Sequence, residues 1–130
     1  MCGLITIIYK DPNRLVDEKT DHLEHIGRAM VDTLRHRGPD ESKVVRMGNA
    51  VLGHTRLSII GSQPILNEDN NVAVLLNGEI YNFPELKISM MKKGHVFRTN
   101  TDTEVIVHLY EEYGEEVFTY LNGMFAIVIY

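Results

Sequence analysis

The chain has 130 residues, 44% hydrophobic and 24% charged, with a formal net charge of −5, which sets the expectation of one soluble globular domain, residues 1–130, with a modest core. The acidic balance and the scattered histidines offer no basic patch to neutralise phosphates, so nucleic acid is not an expected partner. The apolar run at residues 4–9 is too short for a signal-peptide core and stops at Lys10 and Asp11. No other stretch approaches the ~18 apolar residues of a membrane span, so no membrane association is expected and the location expected is cytoplasmic.

In chain order, residues 2–9 read as a strand that ends in the turn-like Lys10-Asp11-Pro12-Asn13. Leu23, Ile26, Met30 and Leu34 then recur at spacings of three and four, the stripe of a helix facing a core. It is expected to end in residues 35–40 (RHRGPD), with cations at the carbonyl end of the dipole and Gly-Pro stopping propagation. Residues 43–47 and 50–60 are β-rich and flank Gly48-Asn49, a two-residue hairpin turn. A second β-rich pair, 64–66 and 72–78, surrounds Glu68-Asp69-Asn70-Asn71, and the four segments read as an antiparallel meander. Pro84 suits the first turn of a short helix to about Lys93, closed by Gly94. Thr101-Asp102-Thr103-Glu104 matches a capping box for a helix whose inner side carries Val105, Ile106, Leu109, Tyr113 and Val117. Residues 124–130 read as a buried strand needing a partner beyond the chain's end, from another chain or a longer parent sequence. Strands and helices mix without regular alternation, so the class is α+β with antiparallel sheet.

The single cysteine, Cys2, excludes an intramolecular disulfide and a thiolate metal cluster. A lone cysteine is ordinarily a small buried hydrophobe. At position 2, removal of Met1 would give it a free α-amine with a pKa of about 7.7 to 8.0, a base for its own thiol. No distant histidine is then needed for acyl transfer.

Six segments exceed generic patterning: Met1-Cys2-Gly3 before a strand, 35–40 (RHRGPD), 53–60 (GHTRLSII), 77–82 (NGEIYN), 101–104 (TDTE) and 123–126 (GMFA). In this order and spacing the chain resembles, over essentially its whole length, the glutaminase domain of class II, N-terminal-nucleophile (Ntn) glutamine amidotransferases, and most closely their asparagine synthetase branch. The resemblance implies a four-layer αββα sandwich of antiparallel sheets, truncated here at its C-terminus because the family's domain is longer. It implies that Cys2 attacks the glutamine side-chain amide, passing through a tetrahedral oxyanion to a thioester with release of ammonia. Asn77, by its side-chain amide, and Gly78, by its backbone N–H, would form the oxyanion hole. Arg56 would bind the substrate α-carboxylate. Glu79 and Asp102 would hold the α-ammonium, and the backbone around Ile59 and Ile60 would line the pocket.

Each assignment has a plainer counterpart. Asn77-Gly78 could be a hairpin turn, Asp102 could serve only its helix N-terminus, and Arg56 could belong to a surface ion pair. Jointly these are weaker than an amino-acid pocket downstream of a position-2 cysteine. His22 and His25 lack a third ligand and read as a solvated face, so no metal is expected. His36 and His54 read as supporting loop structure, and Met90-Met91 as core or pocket wall. The family's asparagine-forming members carry a synthetase part using ATP and Mg, whose phosphate loop is missing here, so no cofactor is expected in this chain. The partners implied are glutamine and a synthetase domain or subunit that receives ammonia; homo-oligomerisation stays open. A non-catalytic glutamine-binding fragment or subunit needing a complementary chain is the alternative.

Overall fold

In the computed structural model, which describes residues 2–10, 20–57 and 61–130, contacts separate residues Met1–Pro64 from Ile65–Tyr130. Strand β1 (Gly3–Ile8) opens the first unit, followed by helix α1 (Thr20–Thr33), β2 (Glu41–Met47) and β3 (Ala50–Arg56). The three strands form an antiparallel sheet in the order β1-β3-β2. Gly48-Asn49 is the expected two-residue turn, closed by the Met47–Ala50 pair. The Asn49 amide donates to the Tyr9 carbonyl at 2.6 Å, tying the hairpin tip to the end of β1. The turn expected over Lys10-Asp11-Pro12-Asn13 lies, after Lys10, outside the described residues.

Helix α1 buries Leu23, Gly27 and Val31, one residue per turn, against the sheet. The stripe expected from the sequence is therefore rotated: Ile26 and Leu34 are half-buried, and Met30 is 38% exposed. Two glycines set this rotation. A Cβ on Gly27 would stand 2.8 Å from Val51 Cγ1, and one on Gly53 would stand 2.5 Å from Val31 Cγ2, so helix and sheet approach through them. The helix also stops earlier than expected. Its last turn holds no basic residue, and it is His36 whose Nδ1 lies 3.1 Å from the Thr33 carbonyl.

The second unit contains β4 (Ile65–Leu66), β5 (Ala73–Ile80), α2 (Phe83–Lys92), α3 (Asp102–Tyr113), a 3-10 turn (Gly114–Thr119) and β6 (Gly123–Ile129). Its sheet is antiparallel in the order β4-β5-β6. The β2-β3 and β4-β5 pairs thus fall in different sheets rather than in one meander. Side chains alternate across a strand, so Val74, Leu76 and Ile80 of β5 share one face, where they pack with Met90, Val105, Ile106, Leu109 and Val117. Pro84 stands in the first turn of α2, as its fixed φ favours.

Two expectations are corrected here. Glu104 does not close a capping box on Thr101: its carboxylate accepts the backbone N–H groups of Arg98 and Thr99, both at 2.7 Å, and the Thr99 hydroxyl. The Thr101 N–H turns instead to the Thr99 hydroxyl at 3.3 Å. Strand β6 is an edge strand rather than a buried one, with Met124 64% and Phe125 38% exposed. Taken by units, both layer types of the expected α+β class are present: antiparallel sheet, with helix packed on it.

Candidate active site

The first residue of the site is set by what holds the head of β1. Arg37, in the RHRGPD segment, donates from Nε to the Cys2 carbonyl at 3.1 Å. The next amide, that of Gly3, donates to the buried Thr55 hydroxyl at 2.9 Å. Residues on both sides of the Cys2–Gly3 peptide are therefore fixed by motif residues, and Cys2 itself is a half-buried free thiol.

Register brings Arg56 to it. Gly3 pairs with Thr55 and Leu4 with His54, so the register, continued one step past the last pair, leads from Cys2 to Arg56. The same row continues to Glu41 on β2, which pairs with Arg56. Arg56 Nη1 donates to Glu41 Oε2 at 2.9 Å, and the Ser62 hydroxyl to Glu41 Oε1 at 3.0 Å. These two hydrogen bonds, Arg56 first, hold the Glu41 carboxyl below its ordinary value. The buried Arg56 Nε has no hydrogen-bond partner among the described residues. The RHRGPD segment also braces this arginine. Pro39 bridges to Arg56, the Asp40 N–H donates to its carbonyl at 3.1 Å, and a Cβ on Gly38 would stand 2.6 Å from the Arg56 backbone.

His54, read from the sequence as loop support, stands instead inside β3, 3% exposed, with Nε2 unpartnered among the described residues. Burial pushes its pKa down to about 4, with Arg56 adding to the drop and Glu41 opposing it. The ring is neutral at physiological pH.

In the second unit, Asn77-Gly78 is no hairpin turn. It lies within β5, paired with Ala126 and Phe125 of β6. Asn77 and Glu79 share the strand face opposite Val74, Leu76 and Ile80. Gly78 has φ 152°, and a Cβ there would stand 2.1 Å from the Met124 carbonyl oxygen, so no side chain fits. The Asp102 carboxylate accepts the Ile80 N–H at 2.9 Å, which fastens the start of α3 to the strand end just after Glu79. Ile59 and Ile60 lie outside the described residues.

Three partners escaped the sequence reading: Arg37, Thr55 and Glu41. Arg37 and Thr55 lie within segments singled out, but their contacts run to backbone atoms. Glu41 becomes visible only once the β2–β3 register is known.

This fold and these motifs define a class. The chain belongs to the glutamine amidotransferase domain family, whose model matches residues 1–130. It is 44% identical over 133 residues to "Asparagine synthetase [glutamine-hydrolyzing] 2" of Oryza sativa subsp. japonica, covering 99% of this chain and 21% of that protein. It is 39% identical over 135 residues to "Probable asparagine synthetase [glutamine-hydrolyzing]" of Dictyostelium discoideum, covering 100% and 23%. Among solved structures, glutamine phosphoribosylpyrophosphate amidotransferase from B. subtilis is similar, with a TM-score of 0.56 and 29% identity over 64% of this chain and 21% of that one. The chain spans about a fifth of the length of the curated relatives it matches. No helix among the described residues is long and apolar enough to cross a membrane.

Proposed function

We propose that this chain hydrolyses glutamine to glutamate and ammonia at Cys2, and that the ammonia serves an asparagine-synthetase-type amidation by a synthetase domain or subunit. What supports the reading is the β1–β3 register, which, continued one step past the Gly3–Thr55 pair, leads from Cys2 to Arg56, whose Nε is unpartnered among the described residues and whose strand partner is Glu41. Glu41 engages Nη1, and the edge bearing Nε suits a bidentate substrate α-carboxylate.

With Met1 removed, the α-amine takes the thiol proton and sulfur attacks the amide carbon. The oxyanion is met by the Asn77 side-chain amide and the Gly78 N–H, the role proposed for both. The tetrahedral species then collapses: the C–N bond breaks, the amine proton leaves with ammonia, and a γ-glutamyl thioester stays on Cys2. Water attacks that thioester, its C–S bond breaks, and glutamate departs while the thiol regains its proton. In this proposal Glu79 and Asp102 hold the substrate α-ammonium, and the backbone around Ile59 and Ile60 lines the pocket.

The test incubates the purified chain with glutamine and measures ammonia and glutamate, with intact mass reporting the state of Met1 and Cys2→Ala as control. Equimolar products from the Met1-free chain, and none from Cys2→Ala, support the reading. A folded, Met1-free chain that binds glutamine and releases no ammonia favours the non-catalytic binding fragment instead.

A further inference from the structure

A second chemical constellation lies in the Ile65–Tyr130 unit, among residues that glutamine hydrolysis does not use. His95 precedes α3, while His108 and Glu111 stand one turn apart on it, and one donor atom from each lies within 4.8 Å of the others. We propose that His95, His108 and Glu111 bind a divalent first-row transition ion, with zinc the ion their chemistry suits.

Glu111 Oε2 lies 3.1 Å from His108 Nδ1 and 3.5 Å from His95 Nδ1. Ligand bonds of about 2.0 to 2.1 Å in a tetrahedral shell put donor atoms roughly 3.3 Å apart, so both separations match an edge of that shell. Two imidazole nitrogens and one carboxylate oxygen form a borderline donor set, the kind that selects zinc and its neighbours over calcium or magnesium.

Of the atoms turned away from the centre, that of His95 fits as well, and that of His108 faces a carboxylate without a hydrogen bond to it. Metal ligation through Nδ1 leaves each Nε2 carrying its proton, and a ligating histidine ordinarily gives that proton to a carboxylate. His95 Nε2 lies 3.1 Å from Glu112 Oε1, and Lys93 pairs with the other oxygen of Glu112. His108 is 2% exposed, its Nε2 has no hydrogen-bond partner among the described residues, and it faces the buried Glu104 carboxylate at 3.9 Å. The third ligand is oriented too: Asn67 donates to Glu111 Oε1 at 2.9 Å, which leaves Oε2 for the two imidazoles. The His95 and Glu111 side chains keep 16% and 24% of their surface open, an entry path for the ion and room for water as a fourth ligand. Bound metal would cross-link the segment ahead of α3 to the helix itself.

The probes are zinc, followed by calorimetry, and cobalt, followed by visible absorption, added to chelator-treated full chain. One equivalent of zinc, a raised melting temperature and the intense visible bands of four-coordinate cobalt are expected. His95→Ala and Glu111→Gln should each weaken zinc binding roughly tenfold or more and abolish those bands, while the double variant His22→Ala/His25→Ala on α1 leaves them intact. Weak six-coordinate cobalt absorption, or zinc affinity unchanged in Glu111→Gln, would overturn the proposal. Because wild type and the conservative Glu111→Gln suffice, failure of His95→Ala to fold does not block the test. Glutamine hydrolysis is not the readout, so the two proposals stand or fall separately.

Discussion

Arg56 carries the finest detail of the candidate site. Its pairing with Glu41 uses one nitrogen of the guanidinium and leaves Nε without a hydrogen-bond partner among the described residues, so under the proposed substrate contact Glu41 is a positioning residue rather than a competitor for the carboxylate. Removing it frees a long side chain to sample other rotamers, at an entropic cost that substrate binding must then meet. Glu41→Ala should therefore raise KM for glutamine several-fold with kcat little changed, whereas a structural role would lower the yield of folded protein without moving KM. Steady-state kinetics on the folded fraction decides. At this scale the sequence was informative about residue types and poor about contacts. Cys2, Asn77, Gly78, Arg56, Glu79 and Asp102 stood out because they sit in recurring motifs. Glu41 did not, because its meaning depends on a cross-strand partner fifteen positions away. The pairing of His95 with His108 was hidden for the same reason, although His108 and Glu111, three apart on one helix, were the signal available.

At the scale of elements, the β5–β6 pair holds the proposed oxyanion-hole residues within a strand rather than a loop. The Asn77-Gly78 dipeptide looks like a turn because Asn-Gly favours positive φ. Here the pairing with β6 overrides that tendency and uses the glycine for close backbone approach. Gly78→Ala places a Cβ against the Met124 carbonyl, and the backbone conformation alone costs about 1–3 kcal/mol for a residue with a side chain. Its melting temperature should fall by several degrees. A variant melting with wild type would contradict the register. Boundaries set by turns and by proline were legible, as Gly48-Asn49 and Pro84 show. The capping box was misread because Glu104 finds donors in the chain ahead of it, at Arg98 and Thr99, which periodicity does not reveal. Likewise, the apolar run of β6 reads as buried, while its burial depends on what covers the edge.

For the whole molecule, one buried group sets a pH dependence. The His54 pKa lies at about 4 in the fold against 6.5 as its ordinary value. Between these limits the unfolded chain binds the additional proton, so stability is complete above about 6.5 and declines as pH falls towards 4. Glu41, whose carboxyl is held low, adds a loss of the same sign only below its ordinary value of 4.5. Urea unfolding at pH 7 and pH 5 should show the wild type weaker at the lower pH, and His54→Leu should lose most of that difference. An unchanged difference would place the proton elsewhere. Beyond stability, the chain matches about a fifth of the length of these curated relatives, so under the proposed function the ammonia would be consumed outside the described residues.

The central claim, acyl transfer at Cys2, is tested most directly by trapping the intermediate. Met1-free chain mixed with glutamine is quenched in acid within one turnover, digested, and the N-terminal peptide weighed. The account predicts a γ-glutamyl thioester on Cys2 that disappears on treatment with hydroxylamine and never forms when Met1 is retained. Ammonia released at the full rate with no adduct on Cys2, or from Cys2→Ala, would contradict it.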